Sequence, residues 1–363
     1  MTWQRVGRAS RRGFLVGASA WLGGLNLGAL SSASAAKPPA AGDVEALLRK
    51  YRVPAVSVAA FEGNQIALEA AYGHQQAGGD PATSETRFQA ASISKTANAL
   101  CVLSLVRDGK LDLDEPVNRR LTSWQLTGAG ADKVTARMLL SHTGGTTVHG
   151  FAGYERDDVI PSVIDILNGR GAANSQPVIV DAPPGRKFRY SGGGVTILQR
   201  LVLDIETASY HEVVAQRVLQ PLGMSNSSMQ QPRQPLSGKL AFGHTDKGET
   251  VRMDYHLYPE MAAAGLWTTP GDLARMLMAL VAAAAGQDGA FLPRKLARQM
   301  IAPVKSGAGL GVFIDNAGMI SHSGVNWGFR AIYIADPRKG RGKIVMSNGE
   351  NGEALNKAML KRI

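Results

Sequence analysis

The spacing of apolar residues changes character three times along the chain. Asp43–Arg52 carries its apolar positions at helical intervals, with Asp43 placed as the N-cap and Pro54 ending the run. Ala55–Phe61 and Gln65–Tyr72 then read as two strands around a Gly63-Asn64 turn, a hairpin. Ser92–Arg107 reads as a helix stopped by Gly109; it is apolar on most sides between Ala97 and Val106, the mark of a buried helix. From about 110 to 260, helical segments alternate with long Gly/Pro loops. One helix starts at Ser209, with Glu212 reaching back to cap it, and a later one at Thr269-Pro270. Leu310–Ile314, Phe329–Ala335 and Ile344–Met346 are strand-like, and Glu353–Arg362 forms a last helix. Strands at both ends with helices between them predict an α/β (α+β) fold. One sheet is completed by the two termini, residues 43–108 and 262–363, and a mainly helical lobe, 109–261, is inserted.

The first forty residues follow another logic. Ser10-Arg11-Arg12-Gly13-Phe14-Leu15 resembles a twin-arginine export signal, followed by a modestly apolar stretch to Leu30 and a small-x-small site, Ala33-Ser34-Ala35. Residues 1–36 are therefore expected to be a signal peptide, cleaved or retained as an anchor, which directs the protein to the periplasm or outside the cell. Lys37-Pro38-Pro39-Ala40 reads as a linker.

Composition narrows the classes further. The 363 residues carry 42 glycines without a strict period, which excludes a collagen, and 44% apolar residues, enough for a substantial core. Cys101 stands alone, so neither an intramolecular disulfide nor a cysteine zinc site can be built. The net charge is +11; four arginines lie in the signal-like segment, leaving +7 for the rest. That mild excess favours peripheral contact with anionic cell wall or a membrane surface, and gives little reason to expect nucleic acid. The run Arg338-Lys339-Gly340-Arg341-Gly342-Lys343 reads as a solvated hairpin turn.

The chemistry centres on Ser92-Ile93-Ser94-Lys95. Three residues advance a helix by about 300°, so serine and lysine share a face. A serine hydroxyl is a weak nucleophile until a base takes its proton, and a lysine held neutral by burial can be that base. Alone, Ser-x-x-Lys marks nothing more than a helix start. Here it stands in Phe88-Gln89-Ala90-Ala91-Ser92-Ile93-Ser94-Lys95 and is followed in order by five further segments. They are Leu139-Leu140-Ser141-His142-Thr143-Gly144-Gly145; Pro184-Gly185 with Phe188-Arg189-Tyr190-Ser191-Gly192; Pro221-Leu222-Gly223-Met224; Ala264-Gly265-Leu266-Trp267-Thr268-Thr269; and His322-Ser323-Gly324 with Asn326 and Gly328-Phe329-Arg330.

This order resembles the serine beta-lactamase and penicillin-binding protein superfamily, in particular the class C beta-lactamase and related esterase branch, from about residue 45 to the end. The resemblance implies a beta-lactamase/transpeptidase-like fold with a central antiparallel sheet flanked by helices. It implies an acyl-enzyme on Ser92, with Lys95 and Tyr190 sharing its proton. The backbone N–H groups of Ser92 and Val325 would form the oxyanion hole, and His322, Ser323 and Gly324 would line the substrate. No cofactor and no metal are implied; the substrate is a small molecule or a peptidoglycan-derived peptide. Two departures stand out. Gly192 occupies the place of an asparagine, and His322 that of a lysine that grips a substrate carboxylate. Both favour an ester or amide hydrolase over an efficient beta-lactamase; the alternatives are a class C-type beta-lactamase or a penicillin-binding sensor or scaffold that is acylated without turnover. Lys305-Ser306-Gly307 mimics the third motif but sits one strand too early. The other histidines show no ligand spacing and read as loop or core residues. His149–Tyr154, Tyr258 and Trp327 are candidates to line the cleft mouth.

Overall fold

A computed structural model describes residues 37–234 and 240–363. The signal-like segment 1–36 lies outside the described residues. The first helix, α1 (Ala41–Tyr51), starts two residues earlier than expected: Ala40 is its N-cap, and Asp43 falls in the first turn, where its charge complements the helix dipole. The chain leaves α1 through Arg52 in a left-handed conformation and enters the hairpin β1 (Ala55–Glu62) and β2 (Gln65–Gly73).

A two-residue strand, β3 (Phe88–Gln89), and a short 3-10 turn, Ala91–Ile93, lead into α2 (Ser94–Arg107). Every residue of α2 from Ser94 to Leu105 is buried. Its lack of an apolar stripe is thus the signature of a central helix, packed on all sides. The middle of the chain supplies α3 (Ala136–Leu140), α4 (Val163–Asn168), α5 (Gly192–Ile205), α6 (Tyr210–Val214) and α7 (Met261–Ala264), joined by long loops. Ser209 and Glu212 form the expected capping box on α6. Strand β4 (Trp267–Thr268) pairs with β3, a small second sheet with no alternating pattern long enough to betray it in sequence. Thr269 caps α8 (Pro270–Ala285), and α9 (Arg294–Met300) follows.

The remaining strands are β5 (Phe313–Ile314), β6 (Ile320–Asn326), β7 (Phe329–Asp336) and β8 (Arg341–Ser347), before the last helix, α10 (Gly352–Leu360). Together with the first hairpin they make a six-stranded sheet in the order β2-β1-β8-β7-β6-β5, antiparallel throughout. The pairing of β1 with β8, Val56 opposite Ser347 through Glu62 opposite Arg341, joins the two ends of the chain. Helix α8 packs on β1, β2 and β8, while α1 and α10 pack on each other and on the strands, so helices flank the sheet.

Two segments differ from expectation. The strand predicted over Leu310–Ile314 shrinks to β5, because Gly311 adopts φ +74° and turns to donate its N–H to Leu140. The basic run is only half turn: Arg341, Gly342 and Lys343 belong to β8.

Candidate active site

Strand β3 delivers the chain to Ser92. Pairing with β4 and a bond from Ala90 N–H to the Leu266 carbonyl, 2.8 Å, fix the approach. Ala91 then takes φ +50°, a left-handed conformation that costs a non-glycine residue about 1–2 kcal/mol. The strained residue lies immediately before the candidate nucleophile, where such strain is concentrated in many proteins. Ser94 Oγ locks the turn by donating to the Ala91 carbonyl at 2.5 Å and accepting from Leu266 N–H at 2.9 Å.

Ser92 therefore sits in a 3-10 turn, and not in the α-helix itself. Lys95 stands in the first turn of α2, so the pair spans the junction between the 3-10 turn and the α-helix. Lys95 Nζ lies 3.1 Å from Ser92 Oγ and donates to the Ala263 carbonyl of α7 at 2.7 Å. Lys95 as a residue is 3% exposed, and burial brings its pKa down from 10.5 to about 7. One N–H serves Ala263; the lone pair of the neutral form is left for the serine proton. Desolvation alone explains this shift.

Tyr190 closes the triangle. Its phenol is hydrogen-bonded to Ser92, and Lys95 Nζ sits 5.0 Å from its ring centroid. Burial pushes the phenol well above its ordinary range, the Ser92 bond opposing this only in part. Burial thus favours the protonated phenol over the phenolate.

What holds Tyr190 was invisible in the sequence. His142, itself at φ +56°, accepts from Ser191 N–H through Nδ1 at 3.2 Å and packs on the Tyr190 ring, centroids 4.3 Å apart and planes tilted by 34°. His149 packs against the same ring at 5.0 Å. Burial, followed by the Lys95 charge, keeps both imidazoles below their usual titration range. The sequence reading places His142 among ordinary loop or core histidines and names His149 as a candidate to line the cleft mouth. For His142 the signal is the Leu139–Gly145 segment, which names a loop without naming its contact with Tyr190. Gly192 also gains a reason. A Cβ there would meet the His149 carbonyl and the Phe151 ring, each at 3.1 Å, so the loop bearing His149 packs directly on the start of α5.

Strand β6 forms the other wall. Gly324 lets it approach the nucleophile turn: a Cβ would stand 2.1 Å from the Ala90 carbonyl oxygen and 3.0 Å from Ala91 Cβ. Val325 follows, partly exposed, in register with Arg330 of β7. Ser323 is partly exposed, whereas His322 is buried, with Nδ1 2.8 Å from the Ser323 carbonyl. Asn326 donates to Gln89 Oε1 at 2.7 Å and to the Ala264 carbonyl at 3.1 Å, tying β6 to β3 and α7.

Other candidates separate cleanly. Phe151, Tyr154 and Tyr258 are buried, so they pack rather than line an open mouth; Tyr258 accepts from Trp327 N–H at 3.1 Å. Trp327 is exposed and stacks on His256. Lys305-Ser306-Gly307 is an exposed turn closed by Ala308 N–H on the Lys305 carbonyl, the decoy it was read as.

The constellation can deprotonate a serine, hold an acyl group on it and return a proton to a leaving atom. Comparison with known proteins agrees in fold. Penicillin-binding protein 4 of Amycolatopsis lactamdurans is 30% identical over 203 residues, 55% of this chain and 51% of that protein. The chain spans about half the length of such curated relatives, 44% for the protein flp of Staphylococcus aureus strain N315. The octameric penicillin-binding protein homologue from Pyrococcus abyssi superposes with TM-score 0.70 at 23% identity, over 85% of this chain and 74% of that one. EstCE1, a hydrolase with promiscuous acyltransferase activity, gives 0.68 at 19% identity, over 89% and 97%. The beta-lactamase family model matches residues 40–363, and the chain belongs to that family.

Proposed function

We propose that this protein is an exported serine hydrolase that forms an acyl-enzyme on Ser92 and hydrolyses ester or amide bonds of small molecules or cell-wall peptides. The observation that carries the proposal is the Ser92 hydroxyl shared between a buried amine, 3.1 Å away, and a protonated phenol. Neutral Lys95 takes the serine proton as Oγ bonds to the substrate carbonyl carbon. The carbonyl oxygen becomes an oxyanion, held by the backbone N–H groups of Ser92 and Val325; one such donor typically contributes about 3 kcal/mol. As the bond to the leaving group breaks, Tyr190 gives that atom its proton, and the lysine ammonium restores the phenol. Water then attacks the acyl-enzyme, losing a proton to Lys95; as the bond between the acyl carbon and Ser92 Oγ breaks, the lysine ammonium returns that proton to Oγ and the acid is released. Residues 1–36 act as the export signal, and the +7 excess outside that segment favours peripheral contact with anionic cell wall or membrane surface.

A short aryl ester and a chromogenic cephalosporin, assayed side by side, test the activity. Steady turnover of the ester with slow or no cephalosporin turnover supports the proposal. Comparable cephalosporin turnover makes the protein a beta-lactamase. A stoichiometric burst without further product makes it an acylated sensor.

A further inference from the structure

Three observations converge on the wall beside Tyr190. His322 is 3% exposed, and its Nδ1 faces a carbonyl, which only accepts; Nδ1 therefore carries the proton. Its Nε2 is a buried lone pair without a partner. Burial, with the Lys95 charge added, lowers the ring to about 3, so His322 presents no positive charge here at neutral pH. Phe313, partly exposed on the edge strand β5, packs 5.2 Å from His322, 6.3 Å from Tyr190 and 6.1 Å from Phe188, itself partly exposed. Among the described residues the one side-chain cation acting on His322 is Lys95, the reacting amine. Arg189, next to Tyr190, is paired with Asp181 and the Gly145 carbonyl.

A carboxylate brought against this wall would shed its water and meet no fixed positive charge. An alkyl or aryl group would bury apolar surface there and meet ring edges and faces. Tyr190 protonates the departing atom, so the wall that adjoins its ring lies on the leaving-group side. We infer that Phe313 and Phe188, backed by the buried His322, line a leaving-group subsite that selects uncharged apolar groups, with Phe313 as the specificity-determining residue. This selectivity presupposes the Ser92 acyl-enzyme.

Two acetate esters that share the acyl group and differ only in the leaving phenol test it: 4-nitrophenyl acetate and 3-carboxy-4-nitrophenyl acetate. Each kcat/KM is divided by the uncatalysed rate. The wild-type enzyme is expected to favour the uncharged ester at least 100-fold. Phe313→Arg and, separately, His322→Lys are expected to narrow that ratio at least tenfold, mainly through a lower KM for the carboxylate. A wild-type ratio below threefold overturns the inference. So does an unchanged ratio in both variants when each still labels with a fluorophosphonate at Ser92. Wild-type protein that fails to label at Ser92 sinks the hydrolase proposal, and the subsite with it.

Discussion

Lys95→Met is predicted to stabilise the protein at low pH while abolishing its activity. The buried amine titrates near 7 in the fold and near 10.5 in the unfolded chain. Each pH unit of difference is worth about 1.4 kcal/mol, so burying the charged amine costs about 4–5 kcal/mol. The sign follows from proton counts. Between pH 7 and 10.5 the unfolded chain holds the proton that the native state has lost, so wild-type stability from this group rises with pH. Below 7 both states are charged and the full cost is present. Methionine removes that cost but leaves the Ala263 carbonyl without its donor, a loss of about 1–3 kcal/mol at any pH. At pH 6 the variant should therefore be more stable by about 1–4 kcal/mol. By pH 9 the advantage should shrink by roughly 3 kcal/mol, because most of the wild-type amine's cost has been relieved. Other groups, Glu260 among them, cancel in the comparison. Urea unfolding of both proteins at pH 6, 7.5 and 9 reads the difference directly. A difference that stays constant across this range, or a variant less stable at pH 6, refutes a neutral buried amine.

Further outcomes follow from the same structure. Glu260 is fully buried with neither carboxylate oxygen paired, and burial raises it to about 8. Its contribution is greatest below pH 4.5 and is lost as pH rises to 8, so Glu260→Gln should raise the urea midpoint at pH 8 and hardly at pH 4. Gly324→Ala should lower kcat/KM for the aryl ester at least 100-fold, since a backbone contact of 2.1 Å must be relieved by moving β6 or the Ser92 turn; wild-type rates would contradict that tight approach. Ala91→Gly, at φ +50°, should gain about 1 kcal/mol in thermal unfolding experiments, and a loss of stability would show the turn to be unstrained. Leu100→Ala, at the fully buried centre of α2, should cost about 2–5 kcal/mol in the same measurement.

Much of this was legible in the sequence, for identifiable reasons. Helix α2 announced its burial because a helix apolar all round has nowhere to sit but inside. The Ser209 and Thr269 starts were readable because caps and N-terminal prolines act locally. Ser92, Lys95 and Tyr190 emerged because the ordered segments are short and chemically constrained. What escaped depends on packing between distant segments. His142 and His149 grip Tyr190 from a loop more than forty residues away, and neither carries a ligand-like spacing. Phe313 lies on a strand of two residues, too short for any periodicity. The protonated state of Tyr190 depends on desolvation outweighing its hydrogen bond, a balance fixed by the surrounding atoms and not by the motif.

The most direct measurement is mass spectrometry of enzyme quenched during turnover of a short aryl ester, with the adduct mapped by peptide. A single acyl group on the peptide bearing Ser92, missing in Ser92→Ala and much slower to form in Lys95→Met, is the expected result. An adduct on another residue, or unimpaired ester turnover by Ser92→Ala, would contradict a serine made reactive by a buried, uncharged lysine.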